Sequence, residues 1–160
     1  MEGLATKTGV SNPLIYKYFD TRLALLQGLL IRKYEGFSSN ITIQLMNTND
    51  YRQRIEVAVT ANFNEYSKSN ILYALRGKAD VFAAIKDTEE NVSKNIAYLL
   101  INSLTEALPL SEAQALKVVV MSSGASKAKA ERYRRMGGDK ATLIEDTIRF
   151  ILAGAKELTS

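Results

Sequence analysis

The residues best suited to binding chemistry lie near the start of the chain, where positions 9–19 read GVSNPLIYKYF. Gly9 favours a tight turn, because glycine enters the left-handed region without a Cβ penalty. After that turn Ser11 or Asn12 can cap a helix, and Pro13 fits the first helical turn, where a missing N–H costs nothing. The pattern predicts a short helix that ends at about residue 19.

The two sides of this short helix differ in character. Ile15 and Phe19 are four residues apart and can pack inward with Val10. The opposite side, with the residues that flank it, carries Asn12, Pro13, Leu14, Tyr16 and Lys17. A helix that shows water an amide, phenols and a cation suits a nucleic-acid groove better than a core.

The residue types that the chain lacks exclude several kinds of chemistry. It contains no cysteine, histidine or tryptophan. The usual zinc sites and most Ser-His or Cys-His nucleophiles are therefore excluded. An enzyme is the least supported class, since no glycine-rich phosphate loop or paired-carboxylate motif is present either. We expect no catalytic residues, no metal and no cofactor.

Charged residues also interrupt every apolar run before it reaches the length of a membrane span. No basic segment followed by an apolar stretch opens the chain, so no signal peptide is predicted. We expect a cytoplasmic protein with no membrane partner.

The chain is mildly basic, with a net charge of +4 and a pI near 9.2. The densest basic cluster lies far from the polar stretch and comprises Lys127, Lys129, Arg132, Arg134, Arg135 and Lys140. We interpret this cluster as a solvated helix end, because cations near a helix C-terminus complement its dipole. An accessory contact to nucleic acid or to an acidic partner is the alternative.

Apolar residues recur at helical spacing along the chain, and no alternating strand pattern stands out, so we predict an all-α fold. The predicted helices cover about 2–8, 12–19, 21–46, 51–67, 88–108, 111–136 and 140–158, with one or two short helices within 70–86 that break near Gly77. Asp20 and Asp139 are the expected caps of two of them, and Ser111 opens another.

The polar stretch closely resembles the recognition helix of the TetR family of transcriptional repressors. The matching elements are the Gly9-Val10 turn, the Tyr16–Phe19 segment, and Asp20–Arg22 leading into a long amphipathic helix. The resemblance implies a helix-turn-helix head in residues 1–33 and a helical ligand-binding and dimerisation domain in 34–160. It covers roughly 25 residues specifically and the remainder by architecture alone.

The resemblance also implies double-stranded operator DNA as a partner. The residues expected to contact bases or phosphates are Thr6, Lys7, Ser11, Asn12, Pro13, Leu14, Tyr16, Lys17, Tyr18 and Arg22. The family carries a further helix before this segment. Its absence here predicts either a fragment of a longer regulator or a derivative whose DNA binding is weakened.

Two further partners follow from the resemblance: an unknown small-molecule effector and a second copy of the chain. The residues expected to bind the effector are Asn62, Phe63, Tyr66, Tyr73, Arg76 and Phe82, although each of them also suits plain core or surface. The residues expected at a homodimer interface are Val120, Leu143, Ile144, Thr147, Ile148, Ile151 and Leu152, with burial inside one protomer as the alternative. The predicted function is a ligand-responsive transcriptional regulator, in the first instance a repressor. A helical ligand-sensing or dimerisation module that does not bind DNA is the second hypothesis.

Overall fold

The computed structural model describes residues 17–68, 78–83 and 85–159, and every regular element in these ranges is an α-helix. This confirms the predicted all-α class. The helices are α1 (Arg22–Met46), α2 (Tyr51–Ser67), α3 (Ala79–Ala83), α4 (Lys86–Ala107), α5 (Glu112–Met136) and α6 (Lys140–Glu157). Lys17 and Tyr18 are helical as well, whereas the predicted helix 2–8 and most of 12–19 lie outside the described residues.

Helix α1 ends at Met46 as predicted, but its N-cap is Thr21 and not Asp20. The Thr21 hydroxyl accepts a hydrogen bond from the backbone N–H of Ala24 at 3.0 Å. A cap must directly precede the first helical residue and reach a backbone N–H two or three positions further on. Asp20 lies one residue too early for that reach, so the prediction of an Asp20 cap is wrong.

Local signals set the ends of α5 and α6. Ser111 and Gln114 form a capping box at the start of α5, with a Gln114 N–H to Ser111 Oγ distance of 3.3 Å and a return bond from the Ser111 N–H to Gln114 Oε1 of 2.9 Å. Gly137 and Gly138 follow α5 with φ of +70° and +121°, angles that favour glycine. Asp139 then caps α6. The predictions that Ser111 opens α5 and that Asp139 caps α6 are confirmed.

Helix α2 lies at the centre of the molecule and packs against α1, α4, α5 and α6. The main core cluster draws on all five of these helices and includes Ile41, Ile55, Val59 and Leu104, each at most 2% exposed. A smaller cluster of Leu30, Tyr34, Val81 and Ile85 joins α1 to the chain around α3. The long helices therefore form a layered bundle around α2.

Phe19 attaches the chain that precedes α1 to the helix itself. Its ring lies against Gly28, where an added Cβ would stand 3.0 Å from Phe19 Cε1. Real Cβ atoms rarely come so close to another carbon, so the absence of a side chain at Gly28 makes room for the ring. Phe19 packs on α1, whereas its predicted partners Val10 and Ile15 lie outside the described residues.

Candidate functional site

Three of the ten residues expected to contact DNA lie within the described ranges. Lys17, Tyr18 and Arg22 are all exposed, and Lys17 Nζ lies 5.9 Å from the centroid of the Tyr18 ring. They stand together beside the N-terminus of α1, where cations and a phenol can reach a phosphate backbone. The other seven lie outside the described residues: Thr6, Lys7, Ser11, Asn12, Pro13, Leu14 and Tyr16.

A cavity of about 140 Å³ lies among α1, α2, α4 and α5, and we call it the central cavity. Ten of the twenty residues that line it have apolar side chains. These are Leu30, Phe37, Ile55, Ala58, Val59, Val92, Ile96, Ala97, Leu100 and Val119. An apolar enclosure with a few placed polar groups is the usual character of a small-molecule site.

Two polar contacts join α1 to other helices at the wall of the central cavity. Lys33 Nζ on α1 lies 3.3 Å from Glu65 Oε2 on α2, and the two side chains are only 27% and 14% exposed. The Tyr34 hydroxyl, also on α1, donates a hydrogen bond to Glu89 Oε1 on α4 at 3.1 Å. Each contact joins α1 to another wall of the cavity, so the position of α1 and the shape of the cavity depend on one another.

The wall contributed by α5 carries three serines: Ser122, Ser123 and Ser126. The hydroxyl of Ser122 donates to the carbonyl of Val118 at 2.6 Å, and that of Ser126 donates to the carbonyl of Ser122 at 2.7 Å. Both hydroxyl protons are thus used inside the helix. Ser122 and Ser126 can then offer a ligand only acceptor lone pairs.

The structure brings two of the six predicted effector-binding residues, Asn62 and Tyr66, to the central cavity. Phe63 is fully buried instead and packs on Tyr133, with ring centroids 5.8 Å apart. Phe82 packs against the smaller core cluster of α1 and does not line the cavity. Tyr73 and Arg76 lie outside the described residues.

Sequence reasoning missed the charged and hydrogen-bonding residues of the cavity: Lys33, Tyr34, Glu65 and Glu89. One local signal existed, because Leu30, Tyr34 and Phe37 follow one face of α1 and place a phenol within an apolar stripe. No signal in the sequence links Lys33 to Glu65 or Tyr34 to Glu89, since the partners are 32 and 55 positions apart.

Several of the residues expected at a dimer interface contribute to the core of the single chain. Thr147 and Ile151 are 2% and 5% exposed. The others on α6 are half-buried, and three of them flank a shallow groove beside α2: Ile144, Ile148 and Leu152. Leu143 is half-buried as well. Because α6 is amphipathic, its most apolar stripe covers the chain's own core, and a partner would meet the residues beside that stripe.

Apolar side chains nevertheless remain exposed on α5 and α6. Leu116, Val120, Met121 and Phe150 are between 47% and 66% exposed, and we call them the outer apolar face. The two helices run antiparallel, because Gln114 near the start of α5 donates to the carbonyl of Leu158 after the end of α6 at 2.9 Å. Among the predicted interface residues, Val120 belongs to this face.

No group of three or more acidic, histidine or cysteine residues is placed to hold a metal ion in the described ranges. Within those ranges, no helix combines the length and the apolar character that crossing a membrane requires.

Comparison with known proteins supports a role in transcription. No family model matches the sequence. The chain is similar to the HTH-type transcriptional activator FasR of Mycolicibacterium smegmatis, with 26% identity over 160 residues that cover 96% of this chain and 72% of that protein. The similarity therefore extends through the helices of the cavity and is not confined to the segment before α1.

Proposed function

We propose that the chain is an effector-responsive transcription regulator that binds operator DNA as a homodimer. One observation carries this proposal: α1 begins beside the exposed Lys17, Tyr18 and Arg22 and continues as a wall of the central cavity. Leu30, the first cavity residue on α1, lies eight positions after Arg22, which is about 12 Å along the helix. A single rigid element thus connects the candidate DNA surface with the candidate effector site.

DNA binding is supported by two similarities, one local and one over the whole chain. The stretch from Gly9 to Arg22 resembles the recognition helix of the TetR family, and the whole chain is similar to a regulator named as HTH-type. Lys17 and Arg22 fit this role, because both are exposed cations of the resembling stretch. Cations at such positions release counterions from the phosphate backbone, which drives association.

An effector response is supported by the two contacts that join α1 to α2 and α4. A molecule that enters the central cavity must accommodate the Lys33–Glu65 ion pair and the Tyr34–Glu89 hydrogen bond. If it binds one position of α1 more tightly than another, it shifts the population towards that position. Coupling free energies of this kind are commonly about 1–3 kcal/mol, which corresponds to roughly 5- to 150-fold in affinity.

A homodimer is supported by the outer apolar face of α5 and α6. A two-fold axis through this face would bring identical apolar patches together and exclude them from water. The same axis would relate two DNA-contact segments, which could then read two half-sites of a palindromic operator.

The proposal concerns operator binding, which serves repression and activation alike. The family that the recognition helix resembles is one of repressors, whereas FasR is named an activator. A reporter gene placed behind the selected operator, with and without the protein, distinguishes the two directions of control.

Selection from a pool of random DNA duplexes tests the proposed function. We expect the protein to enrich a palindromic site, and to bind it in fluorescence anisotropy with an affinity that falls as salt rises. A protein that enriches no sequence at low salt would contradict operator binding. The chain would then be a helical sensing or dimerisation module that does not bind DNA.

A further inference from the structure

The polar groups of the central cavity define the chemical class of its ligand. We propose that the cavity binds an organic cation, in which an ammonium group is attached to an apolar body of about one aromatic ring. This inference rests on the proposed effector role of the cavity and specifies what the effector is.

The volume and the apolar lining of the cavity determine how large the apolar body of the ligand can be. The volume is about 140 Å³, and the apolar half of the lining consists of nine aliphatic side chains and Phe37. An apolar cavity of roughly 150 Å³ in another protein holds one benzene molecule. One ring therefore fills the enclosed space, and a larger ligand would have to extend towards the polar groups.

Four groups of the lining can only accept hydrogen bonds from a ligand: the carboxylates of Glu65 and Glu89 and the hydroxyls of Ser122 and Ser126. Glu65 and Glu89 carry carboxylates, which only accept when ionised. The hydroxyl protons of Ser122 and Ser126 are used within α5, so these groups also present only acceptor lone pairs. An ammonium group has three donors and no acceptor, and it complements such a lining better than a carboxylate or a carbonyl does.

The charged residues of the lining also favour a cationic ligand. Lys33, the cationic residue of the lining, is already paired with Glu65 at 3.3 Å. An anionic ligand that used Lys33 would compete with Glu65 and weaken this pair. Glu89 instead accepts a hydrogen bond from the neutral Tyr34 hydroxyl and forms no ion pair with any residue that the structure describes.

Glu89 is therefore the residue that we expect to meet the ammonium group. A cation placed there gains a charge-assisted contact and disrupts no existing ion pair among the described residues. Lys127, which lies over the ring of Tyr66 at 5.3 Å from its centroid, is not part of the lining. Because Glu89 also holds Tyr34 of α1, a cation at this position acts directly on a contact that positions α1.

Three probes of one carbon skeleton test the proposal: benzylammonium, benzyl alcohol and benzoate. Each is titrated at pH 7 into the full chain labelled with ¹⁵N, and amide chemical shifts give both the affinity and the place of binding. We expect benzylammonium to bind at least about tenfold more tightly than benzyl alcohol, because a charge-assisted hydrogen bond is roughly twice as strong as a neutral one. Benzoate should be the weakest of the three. The shifted amides should belong to the four helices that line the cavity.

Two matched variants test the role of Glu89. Glu89→Gln keeps the size of the side chain and removes its charge, so the preference for benzylammonium over benzyl alcohol should disappear. Glu90→Gln is the control, because Glu90 is the next residue on α4, pairs with Lys94 at 3.8 Å and does not line the cavity. It should retain the preference. Circular dichroism establishes that both variants are folded.

The wild-type titrations decide the proposal without the variants. Equal or tighter binding of benzyl alcohol or benzoate would overturn the cationic ligand and leave the effector cavity in place. Failure of all three probes to bind would overturn it as well. The proposed function stands or falls separately, on the DNA selection experiment, which uses no ligand.

Discussion

Tyr34 and Glu89 are joined by a hydrogen bond of 3.1 Å that connects the middle of α1 to the first turns of α4. Tyr34 is 8% exposed and belongs to the smaller core cluster. Its ring therefore packs in the core while its hydroxyl bonds Glu89. The contact lies at the wall of the central cavity. It is therefore both a packing contact of the fold and the place where a ligand could act on α1.

Removing this hydrogen bond should lower the stability of the protein. Tyr34→Phe keeps the ring in the core but removes the donor to Glu89, and we expect a loss of about 1–2 kcal/mol because a partly buried carboxylate loses a partner. Thermal denaturation measures the change. Tyr98→Phe is the control on α4, since Tyr98 is 65% exposed and its substitution should alter the stability by less than about 0.5 kcal/mol. A Tyr34→Phe protein as stable as the wild type would show that the bond contributes nothing net.

The two glycines of α1 should respond oppositely to a larger side chain. Gly28→Val places a side chain against the Phe19 ring, and we expect the segment before α1 to detach and DNA affinity to fall. Gly36→Ala has open space around it and should stabilise the helix by up to about 1 kcal/mol without changing DNA affinity. Thermal melts and fluorescence anisotropy separate the two effects. Equal DNA affinity for Gly28→Val and wild type would contradict the role given to Phe19.

The fold was predictable where its signals are local. Ser111 and Gln114 form a capping box within four residues, and the stop at Gly137 likewise depends on neighbours in the chain. Backbone N–H groups at a helix start need a partner nearby, so the sequence itself states where such a partner exists. Even there the choice between Asp20 and Thr21 required the backbone, because both residues make good caps.

The cavity was predictable only in part, because contacts between distant helices decide it. Asn62 and Tyr66 line it, yet Phe63, next to Asn62 on α2, turns towards Tyr133 of α5. The face of α2 that lines the cavity and the face that packs on α5 both carry apolar residues. Helical spacing alone therefore does not tell which of the two faces a cavity. Glu89 depends on Tyr34, 55 positions away, and no local pattern records that pairing.

A charge on the outer apolar face should prevent association of two chains. Val120 is 61% exposed in the single chain, so Val120→Asp should leave the protomer folded and convert dimers to monomers by burying an unpaired carboxylate at the interface. Sedimentation equilibrium measures the mass. Ile43→Asp is a matched control, because Ile43 is 59% exposed but lies on α1. Dimers that survive Val120→Asp would move the interface to another surface.

Asp139 should make the stability of α6 depend on acid pH. Hydrogen bonds from the side chain and the backbone of Thr142 hold the pKa of Asp139 below its usual range. A carboxyl whose pKa is lower in the folded state stabilises that state above its unfolded pKa, and the contribution is lost as the pH falls through the folded value. We therefore expect the stabilisation by ionised Asp139 to be present at neutral pH and to be lost as the pH falls below about 4, the usual pKa of an aspartate.

Two substitutions separate the charge of Asp139 from its hydrogen bonds. Asp139→Asn keeps an acceptor for the cap but removes the charge. Its melting temperature should therefore fall below that of the wild type at pH 7 and converge with it in strong acid, where Asp139 is protonated. Asp139→Ala removes the acceptor and should be less stable than Asp139→Asn at both pH values. A constant difference between wild type and Asp139→Asn from pH 7 to pH 2 would contradict the lowered pKa.

Arg22 and Lys17 should contribute to DNA binding in different ways. If Arg22 contacts a phosphate, Arg22→Ala should weaken binding to the selected operator and to unrelated duplexes by the same factor, and reduce the slope of log affinity against log salt by about 1. If Lys17 reads a base, Lys17→Ala should cost about 1–3 kcal/mol on the operator alone. Fluorescence anisotropy at several salt concentrations distinguishes the two. Arg32→Ala is the control, because Arg32 is an exposed cation of the same helix about 15 Å further along. If Arg32→Ala weakened operator binding as much as Arg22→Ala, the affinity would reflect the overall charge of the protein, and the surface beside the N-terminus of α1 would have no special role.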